Sequence, residues 1–188
     1  SSDGLRVAIG AAANDGNGSN SGHVRVYDYN GSAWVQVGAD IDGEAAGDFC
    51  GSGVSLSSDG SILAVGAVSN DGGGTNSGHV RIYKYTPSGV SSWTQLGADI
   101  DGKAANEAFG DSEAISLSSN GSRIAIGAND GSNGTARSGY VKIYDLVGNN
   151  WVQVGADIKG DLNSVFNDFG ISLDLTPDGS RIAIEAYR

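Results

Sequence analysis

The chain has no methionine, only two prolines and two histidines, and a single cysteine among 188 residues. One cysteine excludes an internal disulfide framework. Cys50 lies beside an apolar segment and reads as a buried, unreactive thiol. Positive charge is also scarce: 11 Lys and Arg against 22 Asp and Glu give a formal net charge of -11. Phosphate backbones and anionic lipid would be repelled, so nucleic acid is not an expected partner. No apolar run approaches the roughly 18 residues of a membrane-spanning helix, so no membrane insertion is expected in this segment, and no secretory leader opens it. No helical period of useful length occurs. A Gly-X-Ser-X-Gly nucleophile elbow is missing, as is the lysine of a phosphate-binding loop, so catalysis and nucleotide binding are not expected.

What the chain has in quantity is glycine, 31 residues, and repetition. Trp34-Val35-Gln36-Val37-Gly38-Ala39-Asp40-Ile41 returns from Trp93 to Ile100 and again from Trp151 to Ile158, each time after about 60 residues. The turns Ser2-Asp3-Gly4, Ser58-Asp59-Gly60, Ser119-Asn120-Gly121 and Pro177-Asp178-Gly179 keep the same beat, each leading into an apolar run such as Leu63-Ala64-Val65-Gly66. So do Gly22-His23-Val24-Arg25-Val26-Tyr27, its copy from Gly78 to Tyr83, and Gly139 to Tyr144. A further segment opens with Phe49, Phe109 or Phe169 and runs into Val54-Ser55-Leu56, Ile115-Ser116-Leu117 or Leu173-Asp174-Leu175.

One repeat is therefore four short strands. The third alternates in a two-residue period, as a half-buried strand should, while the second is apolar on both faces, as for a strand between two sheets. The Asp-Gly and Asn-Gly turns joining first to second strand predict type I′ hairpins with positive φ at both central positions. Uneven spacing from Phe to the turn glycine predicts bulges in the first strands.

The fold class expected is all-β: a β-propeller-type array of four-stranded antiparallel blades, with about 13 strands forming about three blades plus a partial one. One array spans 1–188, divided into a partial blade at 1–48 that lacks its first strand, blades at 49–108 and 109–168, and a partial blade at 169–188. Propellers close with roughly four to eight blades, so a single copy is not expected to close. Its open ends call for further blades, a protein partner, or a second copy completing a ring.

The Phe-Gly pairs 109–110 and 169–170, the Gly-Ala endings at 10–11, 66–67 and 127–128, and the Gly-X-Val-X-Val-Tyr segments together resemble the FG-GAP repeat of integrin-α-type propellers. They are also similar to repeat arrays in extracellular proteins of microalgae and marine bacteria. The resemblance covers essentially the whole chain and implies an extracellular or cell-surface location. Many such blades hold calcium in an Asp-X-Asp-X-Asp-Gly turn, but the turns here carry one Asp or Asn. The Phe-Gly signature reads Phe49-Cys50 in the earlier copy, as though cysteine had replaced the glycine.

Several residues are candidates for chemistry. Asp15, Asn17 and Ser19 place oxygens at alternate positions, with Asp71 and Asp130 as counterparts, a pattern that suits calcium; an Asx turn is the plainer reading. Asp40, Asp99 and Asp157 recur in every copy and read as structural acceptors. Trp34, Trp93 and Trp151 could stack on sugar rings or pack on the neighbouring blade. His23 and His79 align with each other and with Tyr140, and read as ordinary strand histidines. Asn17, Asn30, Asn120 and Asn133 are N-glycosylation sequons. The expected function is a non-catalytic extracellular or cell-surface structural and adhesive module. Two alternatives stand beside it: a carbohydrate-binding propeller, with or without calcium, and a polysaccharide-active enzyme using a non-repeated acid such as Glu113 or Asp168.

Overall fold

Short apolar runs punctuated by Asp-Gly and Asn-Gly turns can satisfy their backbone groups only by pairing sideways, which builds sheets. The structure, a computed structural model, describes residues 1–87, 92–128, 139–160 and 168–186, and these are all-β without a helix. They form a propeller-type array of antiparallel sheets, about three blades and part of another, that does not close on itself.

The first blade holds β1 (Arg6–Ala11), β2 (His23–Tyr29), β3 (Trp34–Gln36) and β4 (Ile41–Asp42). The second runs β5 (Cys50–Leu56), β6 (Ile62–Ala67), β7 (His79–Thr86), β8 (Ser92–Gln95) and β9 (Ile100–Asp101). The third repeats it with β10 (Ile115–Leu117), β11 (Arg123–Ala128), β12 (Tyr140–Val147), β13 (Asn150–Gln153) and β14 (Ile158–Lys159). β15 (Leu173–Leu175) and β16 (Ile182–Ile184) make a two-stranded sheet beyond them.

The expected fourth strand is split in every blade. Both halves pair with the third strand, β3 and β4 with β2, β8 and β9 with β7, β13 and β14 with β12. Counting each split strand once recovers the number read from the sequence. A short excursion separates the halves, turning through Gly38, Gly97 or Gly155, each with positive φ.

The second strand divides the core between two neighbours. On β6, Leu63, Val65 and Ala67 pack with Val24, Val26 and Ile41 of the first blade, while Ile62 and Ala64 pack with Ile124, Ile126 and Ala128 of the third. Ala125 and Val141 then face Leu173 and Leu175. The period-two alternation thus serves two cores, one on each side of the sheet. The contacts between blades are called seams below, numbered from the N-terminus.

Two expectations need correction. The hairpin turns are not type I′: Gly4, Gly60, Gly121 and Gly179 have positive φ, but the Asp or Asn before each does not. The amide of Gly60 donates to the Ser57 carbonyl and that of Gly121 to Ser118, giving type I turns followed by a left-handed glycine. The side chain selects this form, because Asp59 Oδ1 accepts the Ser61 amide at 2.9 Å and Asn120 Oδ1 accepts that of Ser122 at 3.0 Å. Consecutive turns are also linked: the Ser2 amide donates to Ser58 O, Ser58 to Ser119 O and Ser119 to Pro177 O, each at 2.8 Å.

The second correction concerns Cys50. It does not stand where Gly follows Phe; it stands where Phe109 does. Cys50 lies opposite Ala67 as Phe109 lies opposite Ala128, and their amides donate to Ser21 and Ser77, respectively. Gly51 is therefore the counterpart of Gly110, and Phe49, with φ 55°, matches left-handed Ala108. The expected bulge is present in β5, where register shifts between Cys50 and Val54.

Candidate functional site

The residues that recur most faithfully serve the scaffold, some within a blade and some across the seams. In the second blade, Trp93 Nε1 donates to Val37 O of the first blade at 3.2 Å; in the third, Trp151 Nε1 donates to Leu96 O at 3.0 Å. Gln95 Nε2 donates to Gly97 O and to Asp99 Oδ1, closing the excursion around its left-handed glycine, and Gln36 and Gln153 repeat both bonds. Asp99 and Asp40 receive the guanidinium of the third strand of their own sheet, Arg81 and Arg25. Asp157 receives Lys103 Nζ from the preceding blade at 2.6 Å. The hydrogen bond from Arg81 holds the Asp99 carboxyl below its ordinary range.

The glycines of the Gly-Ala and Phe-Gly segments face each other across the seams. A side-chain carbon at Gly10, Gly66 or Gly127 would meet the carbonyl of Gly51, Gly110 or Gly170 closer than the 3.0 Å that real carbons respect. Neighbouring blades therefore approach backbone to backbone at these points, which no larger residue allows.

Around this fixed spacing the two full seams are filled differently. In the first seam, Arg6 pairs with Asp28 at 2.6 Å, donates to Gly60 O at 2.9 Å and lies 4.2 Å from the Tyr85 ring centroid. In the second, Ile62 takes the position of Arg6 and packs with Leu146 and Trp151. Deeper in, the first seam brings together Glu44, Asp48, Cys50, His79 and Arg81 around a cavity of about 10 Å³. Burial pushes the Cys50 thiol up to about 12, so it stays protonated and inert at neutral pH. The second seam brings together Lys103, Glu107, Phe109, Tyr140 and Lys142: Tyr140 Oη donates to Glu107 Oε2 at 2.7 Å, and Lys142 Nζ lies 4.9 Å from the Phe109 ring centroid. Burial lowers the Lys142 pKa.

The loop candidates for calcium are occupied with their own backbone. Asp15 Oδ1 accepts the Asn20 amide and Asp71 Oδ1 the Asn76 amide, both at 2.8 Å. Asn17 Nδ2 donates to Gly43 O at 2.8 Å, and the Ser19 carbonyl accepts the Gly47 amide. These atoms brace the long loop against the blade-to-blade link. Asp130 and Asn133 lie outside the described residues. Of the other sequons, Asn30 Oδ1 accepts the Ser32 and Ala33 amides, Asn120 caps its hairpin, and Asn17 is exposed in its loop.

The three tryptophans hold equivalent strand positions but differ in their surroundings. Trp34 is exposed and pairs with Tyr29 at 5.4 Å between centroids, Trp93 is tucked behind Arg6, and Trp151 borders an open groove of about 220 Å³ with Tyr144, Asn150, Asp99 and Asp101. Glu113 lines a depression of about 290 Å³ with Asp111, Ser112, Ser172 and Glu185, where no histidine or lysine is found among the described residues. Asp168 does not line it. Sequence reasoning missed the seam clusters, although the recurring Arg25, Arg81 and Lys142 opposite a recurring Asp carried a charge-pairing signal.

No family model matches this chain, and no curated protein matches it. A solved structure described as a hypothetical selenium-binding protein from Sulfolobus tokodaii is similar with a TM-score of 0.50 at 12% identity, over 85% of this chain and 42% of that one. The likeness is one of fold, and the chain spans well under half of that protein's length.

Proposed function

We propose that this chain is a non-catalytic structural and adhesive module of an extracellular or cell-surface protein, built from propeller repeats of the FG-GAP type. The observation that carries this reading is that the recurring glutamines and aspartates brace their own blades while Trp93, Trp151 and the paired glycines join neighbouring ones, so that repetition serves architecture. The Gly-to-Gly approaches at three successive seams support the FG-GAP comparison, because they give both halves of that signature one physical purpose.

The flanks of the array favour partners that look like further blades. Ile9 is 51% exposed, whereas its counterparts Val65 and Ile126 are 2% and 0%. At the other side, Ile158 is 38% exposed, while Ile100 is 6%. No large apolar side chain of the second blade is comparably exposed among the described residues. Sedimentation velocity across a concentration series tests this: self-association that weakens in a Trp34→Ala, Ile9→Arg double variant supports flank-to-flank stacking, and a concentration-independent monomer with unchanged solubility in the variant counts against it. A panel of polysaccharide substrates should show no turnover.

Glycan binding is the second reading, favoured by the groove in which Trp151 and Tyr144 stand beside Asn150, Asp99 and Asp101. An aromatic platform flanked by acceptors suits a sugar ring. A glycan array, run with and without chelator, separates the two readings: binding lost in Trp151→Ala but kept in Trp34→Ala would establish the groove.

A further inference from the structure

The first and second seams use the same positions with different charges. In the second, Lys103 and Lys142 stand against Glu107 and Asp157, two cations against two carboxylates. In the first, the counterparts are Glu44, Arg81, Asp48 and Asp99: three carboxylates and one guanidinium. Each of these carboxylates has a partner, Glu44 and Asp99 in Arg81 and Asp48 in Asn70, but acids outnumber cations there, with Asp42 also lining the cavity. Where Lys103 sets an ammonium against Asp157, the first seam has Glu44, and where Tyr140 closes the second seam the first has His79.

Three independent features of the first seam point to what supplies a further positive charge. The ligand atoms of Glu44, His79 and Asp99 lie within 4.8 Å of one another. His79 is 5% exposed and lines the cavity. The cavity itself, about 10 Å³, has room for roughly one water or one ion.

We propose that the first seam binds one divalent transition-metal ion of the zinc class through Glu44, His79 and Asp99. One imidazole and two carboxylates form a donor set that suits zinc, whereas calcium and magnesium take oxygen alone. The excess of carboxylates over cations favours a cation there. Arg81 does not exhaust the carboxylates, each of which offers about four lone-pair sites. Asp99 accepts two bonds from Arg81 and one from Gln95, and Glu44 accepts one from Arg81 and a long one from Asn70 at 3.5 Å. Bonds of about 2.0–2.2 Å would draw the donor atoms to about 3.3–3.5 Å apart. Half-exposed Glu44, on the link between blades, can make that movement. The site is separate from the loop oxygens of Asp15 and Asp71. A second cluster, His23, Asp40 and Asp42, has comparable spacing but no acid from a preceding blade, and it serves as an internal control.

The test is calorimetric titration of the metal-free chain with zinc chloride, followed by thermal melts. One ion should bind per chain, and at zinc about a hundredfold above its Kd the melting point should rise about 5–10 °C. His79→Gln should weaken binding at least tenfold, and His23→Gln should leave it unchanged. Glu44→Lys, which copies the second seam, should abolish binding and melt no lower than metal-free wild type, so that lost binding is not mistaken for lost folding. Absence of zinc binding overturns the proposal, as does binding that survives both His79→Gln and Glu44→Lys or that disappears in His23→Gln.

Discussion

The two full seams share one backbone and differ in almost everything that fills it. Arg6 against Tyr85 in the first becomes Ile62 against Leu146 and Trp151 in the second; Cys50 becomes Phe109; Arg81 bridging Glu44 and Asp99 becomes Lys142 over aromatic rings with Lys103 on Asp157. What persists is the glycine-to-glycine approach, the tryptophan donating to the preceding blade, and the chain of turn-to-turn hydrogen bonds. Blade spacing is thus set by main chain and hydrogen bonds, while the filling is polar in one seam and more apolar in the other.

The widest gap between the seams should appear where bulk differs most. Phe109 is fully buried, so Phe109→Ala should cost about 3–5 kcal/mol, whereas Cys50→Ala at the matching position should cost about 1 kcal/mol; urea midpoints at constant slope measure both. If the two costs are equal, the positions are not equivalent. Next in size is the shared spacing. Gly66→Ala pushes a methyl into the Gly110 carbonyl and should lose about 1–3 kcal/mol, with Gly10→Ala behaving alike at the first seam. Removing one shared hydrogen bond should matter less: Trp93→Phe and Trp151→Phe should each lose about 1 kcal/mol.

Acid should sharpen the electrostatic difference. Desolvation alone would raise the Asp157 carboxyl, but hydrogen bonds from Lys103 and Gln153 outweigh it and hold its pKa below 3.8. A carboxyl depressed in the folded state contributes stability above its unfolded pKa and loses it as pH falls through the folded one. Lys103→Ala should therefore cost up to about 1 kcal/mol at pH 7, Lys103 being half exposed, and the difference from wild type should vanish below the folded pKa of Asp157. Smallest of all should be Arg6→Met, which makes the first seam resemble the second. The lost ion pair and ring contact are offset by apolar packing, leaving a change within about 1 kcal/mol by thermal melt.

Much of this architecture could be read before any coordinates. Repetition at about 60 residues, period-two third strands and doubly apolar second strands are local patterns, and local patterns are what a sequence displays directly. The hairpins were legible as turns but not as turn type, because the side chain of Asp59 or Asn120 capping the next amide decides whether its own backbone stays right-handed. Cys50 was misaligned for a related reason: the neighbouring Phe49 matched by letter, while pairing with Ala67 matched by position.

The sequence by itself determined the blade, since alternation and turn residues dictate which backbone groups pair. Only the tertiary structure decided which repeated residues meet across a seam, that Gly66 touches Gly110, and that Glu44, His79 and Asp99 converge from two blades. Those meetings depend on the stacking of one sheet on the next, and distance between blades has no counterpart in the order of residues along either one.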